Sequence, residues 1–379
     1  MRERAVVLGL LALALLAVGA IGGLAVAASG IVSIRASSGH WAVTEWLLQL
    51  GKRRSVDMHT LGDEQPDLSA PWLVLKGAGH YESGCRPCHG SPDLPVPRIA
   101  AGMTPLPPYL PPRIASWEPR ELFYIVKHGI KFTGMPAWWS QERDDEVAAI
   151  VAFLLAMPEM DGTAYLQLVH GEEPHEPAVV PLEDLTTPPP PRAVSASCAR
   201  CHGADGLGRG SAAFPKLAGQ RVAYLERSLE AFANGERNSG FMEPVAAALT
   251  DAERRELAEY YAALPAGADT EADASTDAAA GDPRNGRGIV SAGVPELGVP
   301  SCMDCHGPTD YARNPAYPVL EGQYADYLVL QLELFAGRRR GGSAYAPLMH
   351  HVVDGLDEQQ MRDVAAFYAS RVPSEASAP

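Results

Sequence analysis

All six cysteines of this 379-residue chain fall in three copies of one pattern. The copies are Cys85-Arg-Pro-Cys88-His89, Cys198-Ala-Arg-Cys201-His202 and Cys302-Met-Asp-Cys305-His306. Two thiols one helical turn apart can each add to a vinyl group of one porphyrin, and the next residue then aims an imidazole at the iron. The pattern predicts three covalently bound haem c groups. Cys85, Cys88, Cys198, Cys201, Cys302 and Cys305 are the thioether anchors, and His89, His202 and His306 are the proximal axial ligands. A Cys-x-x-Cys pair also serves zinc sites and thioredoxin-type redox centres. The adjacent histidine in every copy, and the lack of strand and helix alternation around them, speak against both. With every thiol committed, structural disulfides are not expected.

An iron that only carries electrons has both axial positions filled, and a methionine thioether in the second position raises its potential. Three methionines recur at matching places. Met135 follows His89 by 46 residues, Met242 follows His202 by 40, and Met349 follows His306 by 43. An acidic helix start comes nine residues after Met135 (Asp144), nine after Met242 (Asp251) and eight after Met349 (Asp357). These methionines are the expected distal ligands, with His350 and His351 as competitors of Met349. Met58, Met103, Met157, Met160, Met303 and Met361 lack the repeated placement and are read as core filler.

The elements that must position these ligands are helical. Amphipathic spacing predicts helices over Asp144 to Met157, Asp251 to Leu264 and Asp357 to Ser370, and Thr250-Asp-Ala-Glu253 has the form of a capping box. A second repeat joins the last two segments. Pro215-x-Leu217-x-Gly219-Gln220, Tyr224-Leu225 and Phe232 return as Pro318-x-Leu320-x-Gly322-Gln323, Tyr327-Leu328 and Phe335, at a constant offset of 103 residues. Such self-similarity marks duplicated helical domains in tandem. No run of alternating strands is present, so the fold is expected to be all-α.

On these motifs each unit resembles a class I cytochrome c domain, and residues 193–372 resemble the two-domain dihaem cytochromes of the c-four family. The first unit, with Phe132-Thr-Gly-Met135-Pro136-Ala-Trp138, is similar to single-haem cytochrome c. The resemblance implies that the carbonyls of Pro215 and Pro318 bond the His202 and His306 imidazoles, fixing ring orientation and strengthening the ligands. The proline-dense stretch from Pro92 to Pro112 offers no clear equivalent for His89. Class I domains also begin with a helix packed crosswise on the terminal one. Lys76 to Ser83 and Asn285 to Ala292 are candidates, whereas the second domain has only Ala193 to Ser197 before its first cysteine. The edge of its haem is then expected to be exposed or covered by a neighbouring domain.

The expected organisation is an N-terminal transmembrane helix (1–34), a juxtamembrane segment (35–70), and cytochrome c domains over 71–170, 193–264 and 284–372. A proline-rich linker (171–192), a flexible linker rich in Ala, Asp and Gly (265–283) and a tail (373–379) complete it. The last two domains are expected to pack as one rigid unit, with the first held more loosely through its spacer.

Thirty residues from Ala5 to Ile34 carry no charge. That exceeds the roughly 20 needed to cross a bilayer, which favours an uncleaved anchor over a signal peptide cut after Ala25-Val26-Ala27. Trp41 and Trp46 are placed to lie at the lipid interface. Haem attachment outside the cytoplasm, implied by the family, puts the body in the periplasm. A formal charge of −15 excludes a nucleic-acid role and fits redox protein partners. Arg338-Arg339-Arg340 is the one basic cluster, read as a solvated loop.

No side chain is assigned a catalytic role: there is no nucleophile set, glycine-rich nucleotide loop or second metal cluster. The reading is a membrane-anchored electron carrier of a bacterial respiratory chain, delivering single electrons toward a terminal oxidase. Its upstream partner would be a quinol-oxidising complex or a dehydrogenase. The alternative is the cytochrome subunit of a membrane-bound periplasmic dehydrogenase, which the three-haem count also resembles.

Overall fold

A computed structural model describes residues 2–171, 198–267, 281–309 and 313–373. Most of the two expected linkers therefore lies outside the described residues. Among the described residues there are no strands, only the isolated bridges Ser91 to Leu94 and Val294 to Val299. Helix α1 (Arg2–Ala28) contains a candidate span, Val6–Ala28, none of it buried in the protein, as length and composition require of a bilayer span or a signal sequence.

Helix α2 (Ala42–His59) is divided in character. Its first half exposes Val43, Trp46, Leu47 and Leu50, just after the exposed Trp41. Its second half is pinned to the body: Val56 is buried, and Arg53 donates to Ser116 O at 2.7 Å and lies 4.2 Å from the Trp117 ring centre.

The first haem-motif unit is built from α3 (Leu73–Gly84), α4 (Arg86–His89), α5 (Pro119–His128), α6 (Asp144–Ala156) and α7 (Gly162–His170). Helices α3 and α6 cross so closely that a Cβ on Gly77 would collide with the Ala149 carbonyl. That crossing buries Tyr81, Ile150, Phe153 and Leu154 in one core, and α7 closes it with Tyr165. The second unit holds α8 (Ala199–His202), α9 (Val222–Ala233), α10 (Met242–Ala247) and α11 (Asp251–Ala263). The capping box at Thr250 and Glu253 forms as its sequence requires. The third unit holds α12 (Pro283–Ala292), α13 (Met303–His306), α14 (Ala325–Ala336), α15 (Ala346–Asp354) and α16 (Glu358–Ala369). It repeats the close crossing, with Gly286 of α12 against the Asp363 carbonyl of α16.

Units two and three meet through a pseudo-two-fold contact made by the repeated Leu-x-Gly-Gln element. Gln220 donates to Val319 O at 2.5 Å and accepts from Val319 N at 3.0 Å. Gln323 donates to Lys216 O at 3.0 Å and accepts from Lys216 N at 3.0 Å. Both glutamines are 6 % exposed, so each amide satisfies a backbone pair that water does not reach. Gln220→Ala orphans that pair and is expected to cost about 1–3 kcal/mol. Urea unfolding reads the loss, and a midpoint equal to that of the native protein would show the contact to be dispensable.

Two expectations are corrected. The first unit is not loosely placed: it docks on the second through buried polar contacts. Arg143, at the N-cap of α6, donates to Asn238 O at 2.6 Å, and Glu146 of α6 accepts from Ser239 Oγ at 2.6 Å and Gly240 N at 2.8 Å. Linker composition reports only the covalent tether, and nothing in it reveals a complementary surface between the units. The arginine run is also not uniformly solvated. Arg338 pairs with Asp354 at 2.6 Å on the surface, but Arg340 turns inward to Tyr224 Oη (3.2 Å) and the Phe335 ring.

Candidate haem-binding sites

Each Cys-x-x-Cys-His run folds as a single helical turn. His89 N and His306 N donate to Cys85 O and Cys302 O, both at 2.9 Å. The turn stops at a glycine in the left-handed region, Gly90 (φ 69°), Gly203 (φ 77°) or Gly307 (φ 84°), where a side chain would be strained. This brings both cysteines and the histidine of each motif together. No disulfide joins any of the six cysteines. Burial pushes the Cys85 thiol up to about 12 and the Cys302 thiol up to about 11, and raises Cys201 and Cys305 as well. No group of three or more His, Cys, Asp or Glu side chains that would hold a bare metal ion is found among the described residues.

The imidazoles are oriented from behind. His89 Nδ1 lies 2.9 Å from Pro108 O, His202 Nδ1 3.2 Å from Pro215 O, and His306 Nδ1 3.1 Å from Pro318 O. A carbonyl only accepts, so Nδ1 carries the proton and Nε2 keeps its lone pair for a metal. Burial lowers the pKa of His89 and His202, and takes His306 down to about 4 with help from the Arg340, Arg221 and Arg313 guanidiniums. All three rings are therefore neutral at pH 7 and uncontested by protons. This donor set fits a haem iron.

A tyrosine that sequence reasoning missed braces every motif. Tyr81 Oη donates to Gly90 O at 2.7 Å, Tyr261 Oη to Gly203 O at 3.4 Å, and Tyr368 Oη to Gly307 O at 2.8 Å. The first comes from α3 ahead of its motif and the other two from the terminal helices α11 and α16, so a linear repeat search does not align them. Pro108 was equally hidden among its neighbouring prolines.

The methionines sit on unlike elements. Met135 lies in a loop closed by Thr133, whose Oγ1 accepts from Met135 N at 3.1 Å. Met242 opens α10, its N donating to Ser239 Oγ at 3.1 Å. Met349 lies within α15, packed on the cluster around Phe335 and Val353. Of its neighbours, His350 is tied through Nε2 to Arg340 O at 2.9 Å, and His351 is exposed.

The second unit starts, among described residues, at its first cysteine, and the first unit covers it. Cys201, Ala213 and Phe214 pack with Trp72 and Leu75 from the first unit, and Gly79 of α3 faces Phe214 and the Cys201 sulfur. Helix α3 thus packs on α6 with one face and shields the second motif with another.

The family model described as cytochrome c oxidase, cbb3-type, subunit III matches residues 73–154 and 188–260. A thiosulfate dehydrogenase electron acceptor of Stutzerimonas stutzeri is 36 % identical, aligned over 46 % of this chain and 78 % of its own. Cytochrome c4 of Thiocapsa roseopersicina is 35 % identical over 45 % of this chain and 84 % of its own. The solved cytochrome c4 of Acidithiobacillus ferrooxidans, 31 % identical, covers 46 % of this chain and 98 % of its own at a TM-score of 0.37.

The family model and the sequence relatives define an electron-transfer protein with covalently bound haem c. The chain belongs to the c-type cytochromes, in the kinship of the two-domain cytochromes c4.

Proposed function

We propose that this chain is a membrane-anchored, periplasmic trihaem cytochrome that passes single electrons along a respiratory chain toward a terminal oxidase. The observation that carries the reading is the triple occurrence of one donor set: two thiols and a histidine whose Nδ1 is held by a proline carbonyl. His89, His202 and His306 are the proximal ligands, with Met135, Met242 and Met349 opposite them. The bond from His350 to Arg340 O supports Met349 as the third distal ligand, because it engages the Nε2 of its nearest competitor. The domains run over 71–170, 193–264 and 284–372. Helix α1 holds the chain in the cytoplasmic membrane, and the exposed apolar half of α2 rests on the lipid surface. When bound, haem supplies the one-electron iron couple. The protein's part is to keep both axial ligands in place, exclude protons from the imidazoles and hold the units in contact.

A second reading has a specific observation behind it. Relatives named thiosulfate dehydrogenase electron acceptors favour a role as the acceptor subunit of a periplasmic dehydrogenase. Mixing reduced protein with a haem-copper oxidase in proteoliposomes, and oxidised protein with a thiosulfate dehydrogenase, separates the two. Rapid reoxidation by the oxidase alone supports the carrier, and rapid reduction by the dehydrogenase alone supports the subunit.

The ligand assignment has its own test. Met135→Ala, Met242→Ala and Met349→Ala are each expected to remove about a third of the near-infrared charge-transfer band that marks methionine on ferric iron. A full band in Met349→Ala, with a changed third haem in His350→Ala or His351→Ala, would replace Met349 as ligand.

A further inference from the structure

The loop that leads into Met242 is held by another unit. Glu146 of α6 is 2 % exposed, and its Oε1 accepts from Ser239 Oγ at 2.6 Å. Its Oε2 accepts from Gly240 N at 2.8 Å and from Trp138 Nε1 at 3.1 Å. Ser239 Oγ passes this hold onward, accepting from Met242 N at 3.1 Å and Phe241 N at 3.3 Å. The rest of the loop is clasped in the same way. Arg143 bonds Asn238 O, the His80 ring lies 4.9 Å from that of Phe241, and Trp139 Nε1 donates to Glu243 at 2.7 Å. A Cβ on Gly240 would run into the Trp138 indole. The Met135 amide is held by Thr133 of its own loop, and Met349 lies within a helix of its own unit.

We propose that Glu146 is a positioning residue for Met242: the first domain completes the distal side of the second haem and sets how firmly its sixth ligand is held. The inference rests on the reading of Met242 as that ligand. A buried carboxylate that accepts from two N–H groups and a hydroxyl is nearly saturated, so the loop has little freedom to swing Met242 away. Trp138, three residues beyond Met135 in sequence, bonds the same carboxylate. The loops carrying the first and second distal methionines therefore share one polar anchor.

The test uses full-length ferric holoprotein and cyanide, which binds a haem only after its methionine leaves. Met242→Ala identifies the second-haem phase by opening that site in advance. Glu146→Gln places an amide where four donors converge, those of Ser239, Gly240 and Trp138 and the Arg143 guanidinium at 3.2 Å, and Ser239→Ala removes the bridge while leaving α6 untouched. Both are expected to speed cyanide capture by the second haem about tenfold or more, the share of one charge-assisted hydrogen bond. The midpoint potential of that haem should fall, with the third haem unchanged in both variants, the first unchanged in Ser239→Ala, and Glu146→Asp partly restoring the rate. Native cyanide rates and potential in both variants, with Met242→Ala removing its share of the charge-transfer band, overturn the positioning role alone. Equal acceleration at all three haems also overturns it, since that is general loosening. A full band in Met242→Ala overturns the ligand reading and this inference together.

Discussion

Replacing Cys85 with Cys88, Cys198 with Cys201, or Cys302 with Cys305 by alanine pairs is expected to remove one of three haems in each case. The intact mass of protein matured with the haem-attachment machinery reads the loss directly. The three pairs should differ in what else they disturb. Cys201 is 4 % exposed and lies under α3 of the first domain, against Phe214, Trp72 and Leu75. Loss of the second haem is therefore expected to loosen the docking of the first domain as well, seen as new sites of limited proteolysis between the two. Cys302 and Cys305 belong to the third domain, so their loss should leave that docking intact. A native protein carrying two haems, or mass changes that do not track the motif removed, would sink the trihaem reading.

Acid is expected to weaken the contact between the first and second domains before it attacks the rest of the fold. His80 is 5 % exposed, lies between the Trp138 and Phe241 rings, and has no hydrogen-bond partner on either ring nitrogen. Burial, with the Lys76 and Arg143 charges adding and Asp145 opposing, brings its pKa down from 6.5 to about 3. The folded value is depressed, so the docked form has its full stability above pH 6.5. As the pH falls toward 3, the unfolded chain binds a proton that the docked ring refuses. Stability then falls by about 1.4 kcal/mol per pH unit, roughly 2–3 kcal/mol between pH 6.5 and 4.5. Asp145 acts in a separate window. Burial opposes its charge, but Lys76 at 2.8 Å and Arg143 at 2.7 Å overcome this and hold the carboxyl far below its usual range. Its contribution is lost only in stronger acid. Urea unfolding at pH 7, 5.5 and 4.5 should show the slope in the native protein and a flatter one in His80→Phe, which keeps a ring in that place. Parallel slopes would remove His80 from the account.

The chemistry of this protein was legible because covalent haem attachment imposes local rules. Two thiols and an imidazole must share one helical turn, and that turn lies in five consecutive residues. The helices after each methionine were legible for a similar reason, since an acidic start and a periodic apolar face are local signals. Their observed bounds, Asp144–Ala156, Asp251–Ala263 and Glu358–Ala369, each stop one residue short of the sequence reading, and the third also starts one residue later.

The Leu-x-Gly-Gln repeat was visible, but not its purpose. Gln220 and Gln323 bond the backbone of the opposite domain about a hundred positions away in the chain, and no spacing rule connects a side chain to a distant carbonyl. The bracing tyrosines were hidden because the same hydroxyl position can be reached from α3 or from a terminal helix. Above all, only the tertiary structure decided how the first domain sits. Nothing in the sequence marks Arg143 or Glu146 as part of an interface between units. Folding buries both against Asn238 to Gly240, where a buried charge is tolerated because it meets its partner, and Asp145 pairs with Lys76 and Arg143 beside them. Sequence alone supplied the attachment pattern of each unit, because that chemistry is local. The fold determined which unit supports which, because complementarity between surfaces is a property of side chains brought together from distant parts of the chain.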